Sequence, residues 1–230
     1  MKSRNGRAPV IAVDGPAGAG KSTVARKMAH RLGLLYLDTG AMYRGLAWKA
    51  LHCGTDLRDE TNLEELLQRT IIDLYRQSDG TNEVLVDGQN VTNMLRGPEI
   101  NASVSLVAGV RGVREEMVKR QRAMAEHGGV VMDGRDIGTF VLPDADLKFF
   151  LTASLSARAM RRHKDLLAMG YDVSLDTLSQ EIEHRDYLDS SRSFAPLAQA
   201  ADAIVIDTTN VEVDRVVDDM IAWYRGKTHE

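Results

Sequence analysis

Apolar positions in this chain follow two different periodicities, and their alternation sets the first expectation of fold. Five short runs are continuously apolar: Val10–Val13, Leu34–Leu37, Val130–Met132, Leu147–Leu151 (interrupted only by Lys148) and Ala203–Ile206. Runs of this length without a polar face read as strands covered on both sides, as in a parallel sheet. Between them, apolar residues recur at helical spacing over Ser22–Leu32, Ala41–His52, Val113–His127, Ser156–Met169, Leu175–Leu188 and Val213–Arg225. Strand and helix alternate, which predicts an α/β fold: a doubly wound, five-stranded parallel sheet with ligands at the carboxyl ends of its strands. The interval from Asp56 to Pro98 breaks the alternation. There Ile71–Tyr75 and Glu83–Gly88 flank a turn-rich Ser78–Asn82, a hairpin pattern that predicts an inserted substructure. The ends, Met1–Ala8 and Gly226–Glu230, read as frayed.

Composition narrows the function classes. A chain of 230 residues, 43% hydrophobic, suits one domain with an insertion. Its net charge of −4 gives no diffuse positive field of the kind that coats nucleic acid, so any anion site must come from individually placed Lys and Arg. Cys53 is the only cysteine, which excludes an internal disulfide and a cysteine-based zinc cluster and points to a reducing compartment. The six histidines have no zinc-like spacing. With no export signal and no apolar run of about 18 residues, the expectation is a cytoplasmic protein with no membrane partner and no nucleic-acid partner.

Four of the five apolar runs end in Asp: Asp14, Asp38, Asp133 and Asp207. After the first comes Gly15-Pro16-Ala17-Gly18-Ala19-Gly20-Lys21-Ser22-Thr23, a full G-x-x-x-x-G-K-[ST] between a strand and an amphipathic helix. The glycines let backbone N–H groups wrap a β-phosphate at the positive end of the helix. Lys21 is expected on the β- and γ-phosphates, and the Ser22 hydroxyl on Mg²⁺ arriving with ATP. Asp14 and Asp133 are both placed to back the metal, with nothing in the sequence to choose between them. After Asp207, Thr208-Thr209-Asn210 reads as a plain turn. A switch GTPase is the rival from another class, but no Asn-Lys-x-Asp strand end is present to choose guanine.

The segments Asp38-Thr39-Gly40-Ala41-Met42-Tyr43-Arg44 and Asp133-Gly134-Arg135-Asp136 each place a glycine, a guanidinium and carboxylates after a strand. Arg185, Asp189 and Arg192 are four and three apart and share a helix face. Together with Ser105, Arg114 and Ala195-Pro196-Leu197, these motifs resemble bacterial cytidylate kinases from about Val10 to Trp223, and the Asp56–Pro98 insertion resembles that family's acceptor-side subdomain. The resemblance implies a single kinase domain that moves the γ-phosphoryl of ATP to CMP or dCMP, with an acceptor-binding insertion at about 56–98 and a lid at about 154–172. A kinase for another pyrimidine monophosphate, UMP or dTMP, is the alternative.

The resemblance further implies cytosine contacts from Thr39, Arg114, Asp136 and Arg192, sugar contacts from Ser105, Arg185 and Asp189, and an acceptor-phosphate pair in Arg44 and Arg135. Arg111 lies near enough in sequence to share the work of Arg114. A carboxylate at Asp136 suits the N4 amine of cytosine and opposes O4 of uracil; such mismatches discriminate by roughly 10⁴. In the basic segment Arg158–Lys164, Arg158 and Arg162 are expected to reach the phosphates, while Arg161 and Lys164 stay open. Because every motif lies in one chain, a monomer suffices.

Overall fold

The computed structural model describes residues 8–77 and 82–228. In chain order the elements are β1 (Val10–Asp14), α1 (Lys21–Leu32), β2 (Leu35–Asp38), α2 (Thr39–His52), α3 (Glu60–Gln68), β3 (Ile72–Arg76), β4 (Asn82–Val86), β5 (Gln89–Asn90), α4 (Pro98–Gly109), α5 (Arg111–Ala125), β6 (Val130–Asp133), β7 (Leu147–Thr152), α6 (Leu155–Ala168), α7 (Leu175–Ser191), β8 (Ile204–Asp207) and α8 (Val213–Thr228). A single turn of π-helix, Ile137–Val141, follows β6.

The five apolar runs form one parallel sheet in the order β2-β6-β1-β7-β8. The central β1 and β6 are buried at every residue, whereas the edge strand β8 alternates half-buried and exposed. One core packs α1 and α8 on one face around Ile11, Met28, Phe149 and Met220. Another packs Val118, Ile137 and Val141 on the other face. Parallel register also explains the chemistry at the strand ends. Asp38 pairs with Asp133, and Val13, just before Asp14, pairs with Asp133 on the other side. Three carboxylates therefore stand side by side at the carboxyl ends of three adjacent strands.

Strands β3, β4 and β5 form a separate antiparallel sheet. It shares a third core with α2 to α5, built on Leu46, Leu63, Leu66, Leu67, Val107 and Met117. The turn expected at Ser78–Asn82 lies outside the described residues over 78–81, as do 1–7 and 229–230 of the expected frayed ends. Gly226–Thr228 are not frayed; they complete α8. Two α-helices were absent from the sequence expectation. Helix α4 begins on Pro98, which tolerates the first helical position because its missing N–H has no partner there anyway. Helix α3 is capped by Asp59, which accepts from Asn62 N at 3.0 Å.

Candidate active site

The loop from Gly15 to Gly20 joins β1 to α1. Gly15 has φ 142°, and a Cβ there would lie 2.0 Å from the Leu151 carbonyl oxygen of β7. That glycine is demanded by the neighbouring strand as well as by any ligand. Lys21 is buried and donates to Pro16 O at 2.7 Å. Burial, with the Arg135 charge nearby, pushes its ammonium well below the usual lysine range. Thr23 is exposed beside it.

Ser22 Oγ donates to Asp133 Oδ2 at 2.9 Å, and Tyr36 donates from its hydroxyl to Asp133 Oδ1 at 2.8 Å. Burial and the adjacent Asp38 push Asp133 up to about 6. Asp14 is otherwise engaged. It accepts from Ile137 N at 2.8 Å and Gly138 N at 2.7 Å, closing the π turn onto β1. Burial pushes it up to about 7 despite these two bonds. Of the two acids that the sequence left open, only Asp133 touches Ser22. Among the described residues no group of three or more His, Cys, Asp or Glu could cage a metal. A hydroxyl backed by one carboxylate fits Mg²⁺ instead, a hard cation usually held by one or two protein oxygens and the substrate's phosphates.

Facing this loop is a cluster of guanidinium groups. Asp38 caps α2 by accepting from Ala41 N at 2.9 Å, and its other oxygen accepts from Arg44 Nη2 at 2.7 Å. Arg135 Nε donates to Asp189 Oδ2 at 2.8 Å. Arg185 Nε lies 4.0 Å from the same oxygen, and Arg192 Nη1 lies 3.6 Å from Asp189 Oδ1. Arg185 and Asp189 share a face of α7 as expected, whereas Arg192 is the non-helical residue that ends the helix and still reaches Asp189. Burial opposes ionisation of Asp189, but the three cations outweigh it and hold the carboxyl below its usual range. Arg185, buried beside Arg135, falls to about 10. The cations exceed what Asp189 and Asp38 can satisfy: Arg44 Nε, Arg185 Nε, and Arg192 Nε and Nη2 are buried without a hydrogen-bond partner. Such groups are costly to leave unmet.

Deeper in, Arg114 Nη2 donates to Asp136 Oδ2 at 2.5 Å, and both side chains are almost wholly buried. The Tyr43 ring lies under the Arg114 guanidinium, 5.6 Å from its centroid. Thr39 donates its hydroxyl to Asp133 O at 2.8 Å. Gly134 is required for space: a Cβ would stand 2.7 Å from both Thr39 Oγ1 and Ile137 Cδ1. Arg111 does not share the work of Arg114. It turns outward to Glu115 and lies over the Phe194 ring. Ser105 is half-buried on α4 and lines a groove of about 340 Å³ with Leu106, Val110, Leu188 and Arg192.

In α6, Arg158 donates to Ala153 O and Ala17 O, each at 3.1 Å, and pairs with Asp186 of α7. Arg162 Nη2 donates to Arg96 O at 3.3 Å, and burial, with Arg44 and Arg96 nearby, lowers its proton affinity. Arg161, left open by the sequence, binds the loop rim through Gly18 O at 3.3 Å and Thr208 O. Lys164 is exposed. Thr208 is more than a turn residue, since its buried hydroxyl lies 3.1 Å from Ala19 O. Asp207 and Thr209 make the expected turn. Tyr36, Asp186 and Thr208 were missed because their partners lie 97, 28 and 189 residues away in the chain.

The sequence model of a family described as cytidylate kinase matches residues 11–226. The chain is 55% identical over 218 residues to a cytidylate kinase of Desulforamulus reducens, covering 94% of this chain and 97% of that one. It is 56% identical over 208 residues to a cytidylate kinase of Geobacillus kaustophilus, covering 90% and 92%. Among solved structures, an uncharacterized protein of Eubacterium ventriosum superposes with a TM-score of 0.50 at 15% identity, covering 95% and 98%, a likeness of fold alone.

Proposed function

The chain belongs to the cytidylate kinase family, and from that premise we propose how its residues move the γ-phosphoryl group of ATP onto CMP or dCMP. One observation carries the assignment of sites. Buried guanidinium nitrogens of Arg44, Arg185 and Arg192 lack partners in a cleft that faces a phosphate-binding loop. A nucleoside monophosphate supplies acceptors for all three, phosphate oxygens for Arg44, sugar oxygens for Arg185 and the O2 and N3 side of the base for Arg192, and bidentate arginine fixes a phosphate's orientation.

In this reading the loop from Gly15 to Thr23 holds ATP. Lys21 leaves Pro16 O for the β- and γ-phosphates, and Ser22, backed by Asp133, gives an oxygen to Mg²⁺. The cation neutralises charge on the triphosphate when bound. Arg44 and Arg135 hold the acceptor phosphate in line. Arg114, Asp136, Arg192 and Thr39 read cytosine. Thr39 already spends its hydrogen on Asp133 O, so its oxygen can only accept, which suits the N4 amine and not O4 of uracil. Ser105, Arg185 and Asp189 take the sugar. Residues at about 56–98 form the acceptor side and those at about 154–172 the lid, with Arg158 and Arg162 closing on the phosphates.

The chemistry needs no general base, because the attacking oxygen belongs to an already ionised phosphate. It forms a bond to the γ-phosphorus while the β–γ bridging oxygen leaves with the electron pair on ADP. Positioning and fixed positive charge lower the barrier, and lid closure excludes competing water. The enzyme acts as a cytoplasmic monomer in this reading; no helix among the described residues is long and apolar enough to cross a membrane.

ADP release measured with CMP, dCMP, UMP, AMP and dTMP tests the assignment. Turnover confined to CMP and dCMP is expected. Comparable rates with UMP or dTMP would overturn the base-reading roles of Asp136 and Thr39, and slow GTP hydrolysis with no monophosphate dependence would overturn the kinase reading.

A further inference from the structure

Tyr36 lies midway along β2, where the strand pattern asks only for an apolar side chain. Its ring is 5% exposed and sits in the core beneath α1, in the cluster with Ile11, Ala25, Met28 and Val131. A phenylalanine would fill that space without importing a hydroxyl. The backbone of Tyr36 pairs with Val131, two residues before Asp133, yet its hydroxyl reaches along the neighbouring strand to Asp133 Oδ1 at 2.8 Å.

The directions of the two hydrogen bonds carry the consequence. An ionised carboxylate only accepts, so both Tyr36 and Ser22 spend their single hydroxyl hydrogen on Asp133. The Oγ of Ser22, an exposed residue, is left with its lone pairs for another ligand, the state that a hydroxyl must adopt to bind a divalent cation. Asp133 enforces that state, and the Asp133 carboxylate is in turn fixed by Tyr36. The other neighbouring hydroxyl, Thr39, is bonded to the Asp133 backbone oxygen and leaves the carboxylate alone. Without the Tyr36 hydroxyl, Oδ1 would be buried with no donor, and the carboxylate would turn to find one.

We propose that Tyr36 is a positioning residue for the nucleotide-bound cation: its hydroxyl orients Asp133, which orients Ser22. This rests on Ser22 being the metal-binding hydroxyl of the proposed function. The test uses Mn²⁺ as the probe, titrated into the full-length protein saturated with ADP, with free Mn²⁺ followed by electron paramagnetic resonance. Removing outer groups that orient metal ligands typically weakens metal binding tenfold or more, so Tyr36→Phe is expected to weaken Mn²⁺ about tenfold and Asp133→Asn at least as much, with metal-free ADP and CMP affinities within about twofold of wild type.

Unchanged Mn²⁺ affinity in Tyr36→Phe beside a loss in Asp133→Asn would overturn the role of Tyr36 while leaving the metal at Ser22. Unchanged affinity in both variants would overturn the metal assignment itself. Parallel losses of metal-free ADP and CMP affinity in Tyr36→Phe would reduce Tyr36 to a core residue and also overturn the proposal. Tyr36→Leu, which lacks the hydroxyl and is smaller than the site, repeats the measurement should Tyr36→Phe not fold.

Discussion

At the scale of single residues, the site separates side chains that act on charge from side chains that hold other side chains. Lys21 is of the first kind: its ammonium is already buried and donates to a loop carbonyl. Lys21→Ala is expected to reduce turnover by about 10³, the scale of a lost charge stabiliser, with CMP binding retained; turnover near wild type would remove Lys21 from the transfer step. Asp136 is of both kinds, because it would read cytosine and also neutralises the buried Arg114. Asp136→Ala would strand that cation at a cost of about 3–5 kcal/mol and confuse recognition with folding. Asp136→Asn keeps an oxygen for Arg114 while offering the base a donor. It is expected to lower kcat/KM for CMP by about 10² and to raise the UMP to CMP ratio, since a mispaired polar contact discriminates on that scale or above. The KM for ATP should not move; a rise there would place Asp136 on the wrong side of the cleft.

At the scale of elements, the turn after β6 matters most, because Arg135 and Asp136 both hang from it. Asp14 ties that turn to the sheet by accepting two of its amides. Asp14→Asn keeps one acceptor and turns an amino group toward the second N–H, and is expected to lower stability by about 1–3 kcal/mol. The pH dependence has a definite sign. Asp14 is raised to about 7 in the fold from 3.8, so its contribution is fully present below about pH 4 and is lost as pH rises through about 7. The stability advantage of wild type over Asp14→Asn, measured by urea unfolding, should therefore shrink between pH 5 and 8; a constant difference would show that Asp14 does not titrate there. The start of this turn, Asp133-Gly134-Arg135-Asp136, was legible in the sequence, but the π-helical geometry that follows was not, since its anchor lies on a strand 123 residues earlier. Helix α7 was legible, because a four-and-three spacing of charges is a local property. Helix α4 carries buried residues at Ile100, Ser103, Val104, Val107 and Ala108, a helical period hidden by reading Pro98 as a boundary rather than as a first turn.

At the scale of the whole molecule, the helical pair α6 and α7 has a small core of its own, Ala159, Leu166, Leu178 and Ile182. Much of what holds it to the rest is polar: Arg158 and Arg161 to the phosphate-binding loop, Arg162 to Arg96, and Arg135 to Asp189. The sheet and its loop were readable from apolar runs and one motif; the lid expected at about 154–172 takes in α6 but not its partner α7, because the ties that bound the pair, three to backbone carbonyls and one to Asp189, join segments far apart in the chain. Several guanidinium nitrogens of this cluster are buried without a hydrogen-bond partner, so a monophosphate that supplies acceptors should stabilise the fold as well as bind to it. At a hundredfold excess over its Kd, CMP contributes about 2.7 kcal/mol, and at about 2–4 °C per kcal/mol for a chain of this size the melting temperature should rise by about 5–11 °C. Differential scanning fluorimetry with CMP and UMP at one concentration reads this directly. The CMP shift should exceed the UMP shift, because the base readers add to the phosphate contacts. Equal shifts for the two nucleotides would mean that the cleft recognises phosphate alone.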